Sequence, residues 1–405
     1  MVSQSERNRV VLGITGSIAA YKSAEYARLL VSRGFEVRVV MTESAQEFIS
    51  PTTFQAITGK PVVTTFWEEA NPAVIGHIEI ADWADVVVVA PATADFLAKV
   101  RMGAAETPLL ALILATKAPI VIAPAMNTNM LEHARTQENL KVIAESGVTI
   151  VEPEEGALAC GWKGSGRMAS PWEIFHHTVR AIGDGDYVNK RVLVVTGPTR
   201  EPIDPVRFLS NRSSGKMGMA MATEAFRRGA EVAVIHGPIR ALLPAKISRQ
   251  EVFTAQQMYD AVVEKVFGEG SEAFDYIVMA AAVADFRPKQ PSELKIKRSE
   301  QPKSLALVEN PDILAELGKR RGEETRPVLV GFAVETGEIE ALLEAAGDKL
   351  RRKKADIIVG NFAEDAFDLD TNRVWIIDRH GKREEVATTF KTRVANKILD
   401  AMKKQ

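Results

Sequence analysis

The sequence predicts two doubly wound α/β domains in tandem, each a largely parallel sheet with helices on both faces. One observation is that short apolar runs rich in valine and isoleucine alternate with segments of helical spacing along the 405 residues. Strands this uniformly apolar are covered on both faces, which is typical of parallel sheets. A second observation is that residues 9–40 and 191–235 show the same order of features. Each runs through a basic residue, a strand ending in Thr-Gly, a turn, a helix, an Arg-Gly stop and another strand.

In the first half, the apolar runs predict strands and the segments between them predict helices. Residues 19–33 carry Ala, Tyr and Leu at helical spacing, and Gly34 follows as a stop signal. The predicted strands span residues 9–14, 36–41, 85–90, 119–123 and 148–151.

A second series of strands begins after Lys190 with RVLVVTGPT and carries an extra loop, 198–214, before its first helix. Between the two series, residues 182–189 (IGDGDYVN) show no periodicity and contain two glycines, which predicts a linker. We therefore expect one domain over 1–181 and another over 190–405. The later strands of the second domain are predicted at 231–235, 275–280, 328–332, 356–359 and 374–377.

Composition and charge argue against several classes of function. With 51 basic and 53 acidic residues the formal net charge is -2, whereas binding to a nucleic-acid backbone needs a basic surplus or stripe. A single cysteine permits no intrachain disulfide, which fits a reducing cytosol. The first ten residues lack the apolar run of a secretory signal, and the apolar stretch 108–126 carries Lys117 and further prolines. We expect a cytoplasmic protein without a membrane span.

The turn after the first predicted strand, residues 13–18, is a candidate anion site. Gly16 permits close backbone approach, and Ser17 together with the amides of the helix start can hold a phosphate. The spacing is not G-x-G-x-x-G, so it does not indicate a dinucleotide site. The alternative is the tight turn of any α/β protein.

Two further loops, 90–95 and 123–127, follow strands at the same predicted edge of the sheet, where such folds bind ligands. Their small residues leave room for a flat ring, and Thr93, Asp95 and Asn127 offer hydrogen bonds. His77 precedes the strand at 85–90 by a short loop and can exchange a proton near neutral pH. A packed or surface histidine is the alternative.

The strings GSIAAYK, GHIEI, APATADF, PAMNTNM and ACGWKGSGRM, in this order between residues 13 and 168, resemble the phosphopantothenoylcysteine decarboxylases, a family of flavin-dependent cysteine decarboxylases. The resemblance implies a flavodoxin-like FMN domain with His77 as the catalytic histidine and Asn127 binding the substrate carboxylate. Cys160 is implied to be the proton donor on a mobile flap; a small buried apolar residue is the alternative. The implied FMN-binding positions are Gly16, Ser17, Thr42, Thr93, Ala94 and Met126.

The second half also has an anion-binding helix start, at residues 213–215, where a serine N-cap is the alternative. Farther on, Asp285 ends a strand, and Lys295 and the basic run 349–354 follow. A carboxylate near several lysines suits a metal–triphosphate. Surface salt bridges, and for the basic run a solvated helix face, are the alternatives.

The strings SNRSSGKMG, AAVADF, KIK, NPDI and GFAVET, in this order, resemble the phosphopantothenate–cysteine ligases, and the fusion order is that of bacterial bifunctional enzymes. The resemblance implies a Rossmann-like nucleotide-binding domain in which CTP, with Mg²⁺ at Asp285, activates 4′-phosphopantothenate as an acyl-cytidylate. Asn211 matches the asparagine of the second step, in which the cysteine amine displaces CMP. The implied CTP-binding positions are Ala281, Asp285, Lys295, Asn310, Pro311, Asp312, Ile313, Phe332, Lys349 and Lys353.

The two resemblances together imply a coenzyme A biosynthesis enzyme that ligates cysteine and then decarboxylates the product to 4′-phosphopantetheine. They also imply flavin-domain trimers and ligase-domain dimers, which together close a homo-oligomeric dodecamer. A non-catalytic flavoprotein that regulates a partner is a rival, and the presence of His77, Asn127 and Cys160 counts against it. A nicotinamide oxidoreductase is a second rival, and the missing G-x-G-x-x-G counts against that one.

Overall fold

The computed structural model describes residues 7–66, 76–157, 161, 163–240, 243–271, 273–298, 304–366 and 369–405. The chain divides into two compact units, Met1–Asp184 and Gly185–Gln405. The division falls inside the segment 182–189 that lacks sequence periodicity. Each unit is described by itself.

The first unit alternates strands and helices from its first described residues. Its strands are β1 (Arg9–Ile14), β2 (Glu36–Met41), β3 (Val62–Val63), β4 (Val86–Ala92), β5 (Ile120–Pro124), β6 (Thr149–Ile150), β7 (Glu154–Ala157) and β8 (Lys163–Arg167). Its helices are α1 (Ala20–Ser32), α2 (Glu43–Gln46), α3 (Pro51–Thr58), α4 (Gly76–Trp83), α5 (Ala94–Met102), α6 (Pro108–Ala115), α7 (Thr128–Glu132), α8 (Ala134–Glu145) and α9 (Pro171–Ile182).

Strands β1 to β6 form a parallel sheet in the order β3-β2-β1-β4-β5-β6. Gly13 of β1 is in register with Val40 of β2 on one side and with Val89 of β4 on the other. The strand order reverses between β1 and β4, and in doubly wound folds ligands bind outside the carboxyl ends of the strands at such a switch point. Without the two-residue edge strand β3, the order is second-first-third-fourth-fifth, as in flavodoxin-like sheets. The doubly wound fold predicted for this half is therefore confirmed.

Apolar residues on both faces of the sheet explain why helices cover it on both sides. Leu12 of β1 packs in a core with Tyr26 of α1 and Ile174 of α9, whereas the adjacent Val11 packs in the opposite core with Leu109 of α6. Burying one such aliphatic side chain contributes about 1.5–3 kcal/mol. Helix α1 ends where expected, because Gly34 follows it with a φ of 86°, the left-handed conformation that glycine adopts without steric penalty.

The second unit has the same alternation and a longer sheet. Its strands are β9 (Arg191–Pro198), β10 (Arg200–Pro202), β11 (Phe208–Ser210), β12 (Glu231–His236), β13 (Ser248–Glu251), β14 (Tyr276–Ala282), β15 (Phe286–Pro288), β16 (Leu307–Glu309), β17 (Val328–Glu335), β18 (Ile357–Phe362), β19 (Thr371–Asp378) and β20 (Arg383–Phe390). Its helices are α10 (Lys216–Arg227), α11 (Ala255–Phe267), α12 (Ile313–Arg321), α13 (Ile339–Lys353), α14 (Ala363–Ala366) and α15 (Lys391–Met402).

The main sheet of this unit has the order β13-β12-β9-β14-β17-β18-β19-β20. It is parallel from β13 to β18, and β19 and β20 extend it in antiparallel fashion. Val194 of β9 lies in a core with Ile398 of α15, and the adjacent Val195 lies in the opposite core with Met258 of α11. The second α/β domain is thus confirmed, with an antiparallel edge that the sequence analysis did not predict. No helix within the described ranges is long and apolar enough to cross a membrane.

Candidate active sites

The first candidate site lies at the carboxyl edge of the first sheet, where hydrogen bonds connect the loops after adjacent strands. Thr15, which is 2% exposed, follows β1; its hydroxyl donates to the Pro91 carbonyl of β4 at 2.8 Å and accepts from the Thr93 amide at 3.1 Å. On the other side of β1, the Thr42 amide donates to the Ile14 carbonyl at 3.0 Å. These bonds hold the loops as one continuous edge.

Gly16 and Ser17, the first of the predicted flavin-binding residues, connect β1 to α1 and are half-buried. A Cβ added to Gly16 would lie 2.5 Å from the Ser44 hydroxyl, so only glycine fits against the adjacent helix α2. The Ser17 hydroxyl accepts a hydrogen bond from the Ala19 amide at 3.2 Å, and α1 begins after Ala19 without a side-chain cap. An uncapped helix start next to glycine and serine suits a phosphate group.

The other predicted flavin-binding residues lie in the loops after β2, β4 and β5. Thr42 precedes α2, and Thr93 caps α5 by accepting from the Phe96 amide at 3.3 Å. The structure therefore brings this predicted set together at one edge of the sheet. All six residues of the set are half-buried, namely Gly16, Ser17, Thr42, Thr93, Ala94 and Met126.

Asn127 follows β5 at the same edge and begins α7. Its side-chain oxygen accepts from the Asn129 amide at 2.8 Å, which orients the amide group. The hairpin of β7 and β8 packs against this segment: the Met126 amide donates to the Gly166 carbonyl at 3.0 Å. The hairpin thus lies directly beside Asn127.

Two predicted catalytic groups lie outside what the structure describes. Residue 77 is in the first turn of α4, but the side chain of His77 is outside the described residues. Cys160 is also outside them. A helix between parallel strands runs antiparallel to them, so α4, which precedes β4, begins towards the carboxyl edge of the sheet.

A buried lysine that the sequence analysis did not single out connects α1 to the chain that follows β8, next to this edge. Lys22 of α1 is 6% exposed, and its ammonium donates to the Met168 carbonyl at 2.7 Å. Burial lowers the pKa of Lys22, as does the nearby Arg167 guanidinium, while Glu154 opposes the shift. Lys22 therefore fixes the chain just after β8 to the helix that begins at the anion site.

The second candidate site is a cavity of about 1430 Å³ in the second unit. Loops at the carboxyl ends of the central parallel strands surround it, together with one face of α13. The lining includes Asn211 and most of the predicted nucleotide-binding positions, namely Ala281, Asp285, Asn310, Pro311, Asp312, Ile313, Phe332, Lys349 and Lys353.

Close packing shapes the wall of the cavity at the start of α10. The Thr196 hydroxyl at the end of β9 donates to the Gly215 carbonyl at 3.1 Å. A Cβ added to Gly218 would lie 2.2 Å from that hydroxyl, so glycine is needed where α10 crosses β9. Gly215 has a φ of 70° and begins α10 without a side-chain cap. The uncapped helix start faces a cavity that Ser213 and Ser214 also line.

The opposite wall adds positive charge to the site. The Lys349 ammonium donates to the Phe332 carbonyl at 2.6 Å, and Lys353 forms an ion pair with Asp312. Burial lowers the pKa of both lysines, and the Asp285 carboxylate partly opposes the shift in each. Two partly desolvated lysines and the carboxylates of Asp285 and Asp312 thus line the same space.

Side-chain amides connect the remaining loops around the cavity. The Asn211 amide donates to the Val283 carbonyl at 3.0 Å, and the Asn310 amide donates to the Ala284 carbonyl at 2.8 Å. The Asn310 backbone amide in turn donates to the Asp285 carbonyl at 2.8 Å. These bonds fix Asp285 between the segments that carry Asn211 and Asn310.

Lys295 is not among the described residues that line this cavity; it is exposed on the loop after β15. That loop is fixed by Asp204, whose buried carboxylate accepts from the Arg207 guanidinium and, at 3.2 Å, from the Ile296 amide. Hydrogen bonds from Arg207 hold the pKa of Asp204 well below its usual range. Asp204 thereby joins the loop inserted before α10 to the loop that carries Lys295.

Several polar residues at the sites were missed by the sequence analysis. Asn361 and Asn372 are each 2% exposed and line the cavity together with Lys391. Thr15 and Asp204 are buried and bridge segments distant in sequence. An asparagine after an apolar run at Asn361 was the one available signal. Within the described residues, no group of three or more His, Cys, Asp or Glu side chains could hold a metal ion.

Comparison with known proteins matches both units. Residues 2–183 match the flavoprotein family, and residues 187–405 match the C-terminal domain of DNA/pantothenate metabolism flavoproteins. The coenzyme A biosynthesis bifunctional protein CoaBC of Vibrio cholerae is 41% identical over 402 residues, which cover 98% of each chain. Its Bacillus subtilis counterpart is 40% identical over 96% of this chain and 95% of its own, and that of Escherichia coli is 41% identical over 93% and 92%. On this evidence, the chain belongs to the family of bifunctional coenzyme A biosynthesis proteins.

Proposed function

We propose that the chain catalyses two consecutive reactions in coenzyme A biosynthesis. The domain 190–405 joins cysteine to 4′-phosphopantothenate, and the domain 1–181 decarboxylates the product to 4′-phosphopantetheine. The observation that carries this proposal is that the described residues of most motifs resembling each enzyme family lie at the carboxyl edge of their own sheet. In the first unit they surround an uncapped helix start, and in the second they line a cavity together with Lys349 and Lys353.

The cavity of the second unit suits the activation of a carboxylate by a nucleoside triphosphate. A carboxylate oxygen of 4′-phosphopantothenate attacks the α-phosphorus of CTP, and pyrophosphate leaves. Both reactants are anions, so Lys349 and Lys353 would lower the barrier by neutralising charge. Asp285 lies where it could hold Mg²⁺ against the phosphates, because Mg²⁺ is commonly bound by one or two carboxylates together with phosphate oxygens.

The second step of the ligation forms the amide bond. The cysteine amine attacks the acyl carbon of the acyl-cytidylate, the bond to the phosphate oxygen breaks, and CMP leaves. Charge develops on the acyl oxygen in this step, and a fixed amide donor there stabilises it. Asn211 has this role in the proposal, because it lines the cavity and is anchored to the Val283 carbonyl.

The edge of the first sheet suits FMN. The uncapped start of α1 beside Gly16 and Ser17 fits its phosphate, and the small residues after β4 leave space for its ring. FMN, when bound, supplies a reversible acceptor for hydride. Asn127 orients the substrate carboxylate, His77 exchanges a proton beside the flavin, and the Cys160 thiol donates a proton at the carbon that has lost CO₂.

The proposal extends to where and in what form the protein acts. Its proposed substrates are small molecules, and its single cysteine suits a reducing compartment. We place it in the cytoplasm as a homo-oligomer in which flavin-domain trimers and ligase-domain dimers close a dodecamer. Nucleic acid and membrane have no part in the reaction.

One assay tests both halves. Purified protein is given 4′-phosphopantothenate, cysteine and each nucleoside triphosphate in turn, and the release of pyrophosphate and of CO₂ is measured. We expect pyrophosphate release with CTP and Mg²⁺, CO₂ release only after ligation, and the absorbance of bound flavin. Flavin-free protein, or CO₂ release without the triphosphate, would contradict the proposal.

A further inference from the structure

A side-chain contact joins the β7–β8 hairpin to the segment that carries Asn127. The Thr128 hydroxyl donates to the Ser165 carbonyl of β8 at 2.7 Å, and Thr128 is half-buried. One residue before Asn127, the Met126 amide donates to the Gly166 carbonyl at 3.0 Å. Both neighbours of Asn127 in the sequence therefore contact β8.

Two glycines make this contact possible. A Cβ added to Gly164 would lie 2.5 Å from the Thr128 hydroxyl, and one added to Gly166 would lie 2.3 Å from the Met126 carbonyl oxygen. Gly166 also has a φ of 128°, a conformation that residues with side chains rarely adopt. The backbone of β8 thus lies directly on residues 126–128 without intervening side chains.

The base of the hairpin is fixed independently of Thr128. The buried Lys22 ammonium donates to the Met168 carbonyl at 2.7 Å, and the Ser170 amide donates to the Glu154 carboxylate at 2.7 Å. Loss of the Thr128 hydroxyl would therefore weaken the attachment of β8 to the Asn127 loop without abolishing it, because the Met126–Gly166 bond remains and the base stays attached. The docked position of the hairpin would become less populated, and the hairpin would not unfold.

From this geometry we propose that Thr128 is a positioning residue whose hydroxyl holds the β7–β8 hairpin over the Asn127 loop. Its contribution to decarboxylation rests on the proposed function, because β7 and β8 flank residue 160 in the sequence. A docked hairpin retains substrate beside Asn127. When only a fraction of molecules is competent to bind, the apparent dissociation constant rises in inverse proportion to that fraction.

The test compares Thr128→Val, which removes the hydroxyl at nearly constant volume, with Thr128→Ser, which keeps it. Thr58→Val is the matched control, because the Thr58 hydroxyl also donates to a backbone carbonyl, that of Phe54 at 2.9 Å, at the end of α3. Amide hydrogen exchange of residues 163–167 measures docking without any substrate. We expect exchange there to be about 3- to 10-fold faster in Thr128→Val, the effect of losing one hydrogen bond, and unchanged in the other two variants.

Steady-state kinetics of decarboxylation supply the second readout. In Thr128→Val we expect KM for phosphopantothenoylcysteine to rise about 3- to 10-fold with kcat within about twofold, and Thr128→Ser to restore KM. A purely structural role would instead reduce the flavin-loaded fraction and leave KM unchanged. Unchanged exchange at 163–167, or faster exchange throughout the first unit, would overturn the proposal, as would unchanged KM. If wild-type protein releases no CO₂, the proposed decarboxylation fails, while hydrogen exchange still decides whether Thr128 holds the hairpin.

Discussion

The first strand-to-helix connections of the two units differ although the surrounding sheets are alike. In the first unit β1 and α1 are joined by a short turn, whereas in the second unit β9 and α10 are separated by residues 199–215, which include β10 and β11. Both helices begin without a side-chain cap. The insertion brings Asn211 to the cavity and, through Asp204, holds the loop that carries Lys295.

The two sites also differ in the charge of the groups around them. The edge of the first unit presents half-buried hydroxyl and amide groups such as those of Thr93 and Asn127. The cavity of the second unit adds Lys349 and Lys353, whose pKa values burial lowers. Under the proposed function, the added loop and lysines explain why the second unit binds a triphosphate whereas the first binds a single phosphate with a flat ring.

The largest expected effect is the loss of one of the two activities while the other is retained. Cys160→Ser should lower formation of 4′-phosphopantetheine about 100-fold or more, because a positioned proton donor typically contributes 10²–10⁴-fold and Cys160 acts after CO₂ is lost, while pyrophosphate release stays normal. Asn211→Ala should lower ligation about 100-fold or more through loss of a fixed amide donor, while decarboxylation of added phosphopantothenoylcysteine stays normal. Assaying both reactions on both variants checks this. A variant that loses both activities would show that the sites are not independent.

The pH dependence of the ligase tests the cationic wall. Burial lowers the pKa of Lys349 below its ordinary value of 10.5, with Asp285 and Glu335 opposing the shift. The ammonium is charged below this lowered pKa, so nucleotide affinity is complete there and is lost as the pH rises through it. We expect KM for CTP to rise about 10-fold on the alkaline side, at a pH below 10.5. Lys349→Arg should remove this rise, because guanidinium stays charged; an identical profile in that variant would contradict the role of Lys349.

The inserted loop is tested at Asp204. Asp204→Asn weakens the bonds to Arg207 and the Ile296 amide, so the loop that carries Lys295 should lose its fixed position. We expect kcat/KM for CTP to fall about 10-fold, as misplaced binding groups commonly cause, with decarboxylation unchanged. Asp260→Asn, at an exposed residue of α11 that accepts from Gln256, is the control. Equal ligase activity in the two variants would show that the inserted loop does not contribute to nucleotide binding through Asp204.

The smallest effect concerns stability alone. Burial opposes ionisation of Asp186, but hydrogen bonds from Arg228 and Lys403 outweigh it and lower its pKa to about 2. Its stabilising contribution is therefore complete above the unfolded pKa near 3.8 and is lost as the pH falls towards 2. We expect Asp186→Asn to reduce the free energy of unfolding at pH 7 by about 1–2 kcal/mol, measured by urea denaturation, with both activities intact. A difference from wild type that does not shrink between pH 5 and pH 3 would contradict this origin.

The local pattern of the sequence predicted the strands well because each central strand is apolar on both faces. Residues 9–14 and 36–41 form strands with the predicted bounds, and the helix expected at 19–33 spans Ala20–Ser32. Strand β20 escaped prediction because its sequence, REEVATTF, is mostly polar, as is common at a sheet edge. The short β3 lacks enough residues to show a period.

Only the site residues that belong to short sequence motifs were predicted. The loops with Gly16, Thr93 and Met126 lie at one edge because the carboxyl ends of adjacent parallel strands meet there. Thr15, Thr128 and Asp204 act through hydrogen bonds to residues far away in the chain, and such contacts leave no periodic signal in the sequence. The roles of His77 and Cys160 stay predictions, since their side chains lie outside the described residues.

A mixing experiment tests most directly whether one chain holds two separate active sites. Cys160→Ser and Asn211→Ala proteins are assayed alone and mixed, with 4′-phosphopantothenate, cysteine and CTP, and 4′-phosphopantetheine is measured. Each variant alone should form almost none, and the mixture should restore its formation, because one protein supplies the ligated intermediate and the other decarboxylates it. A mixture as inactive as either variant, when each retains its single remaining activity, would contradict this account.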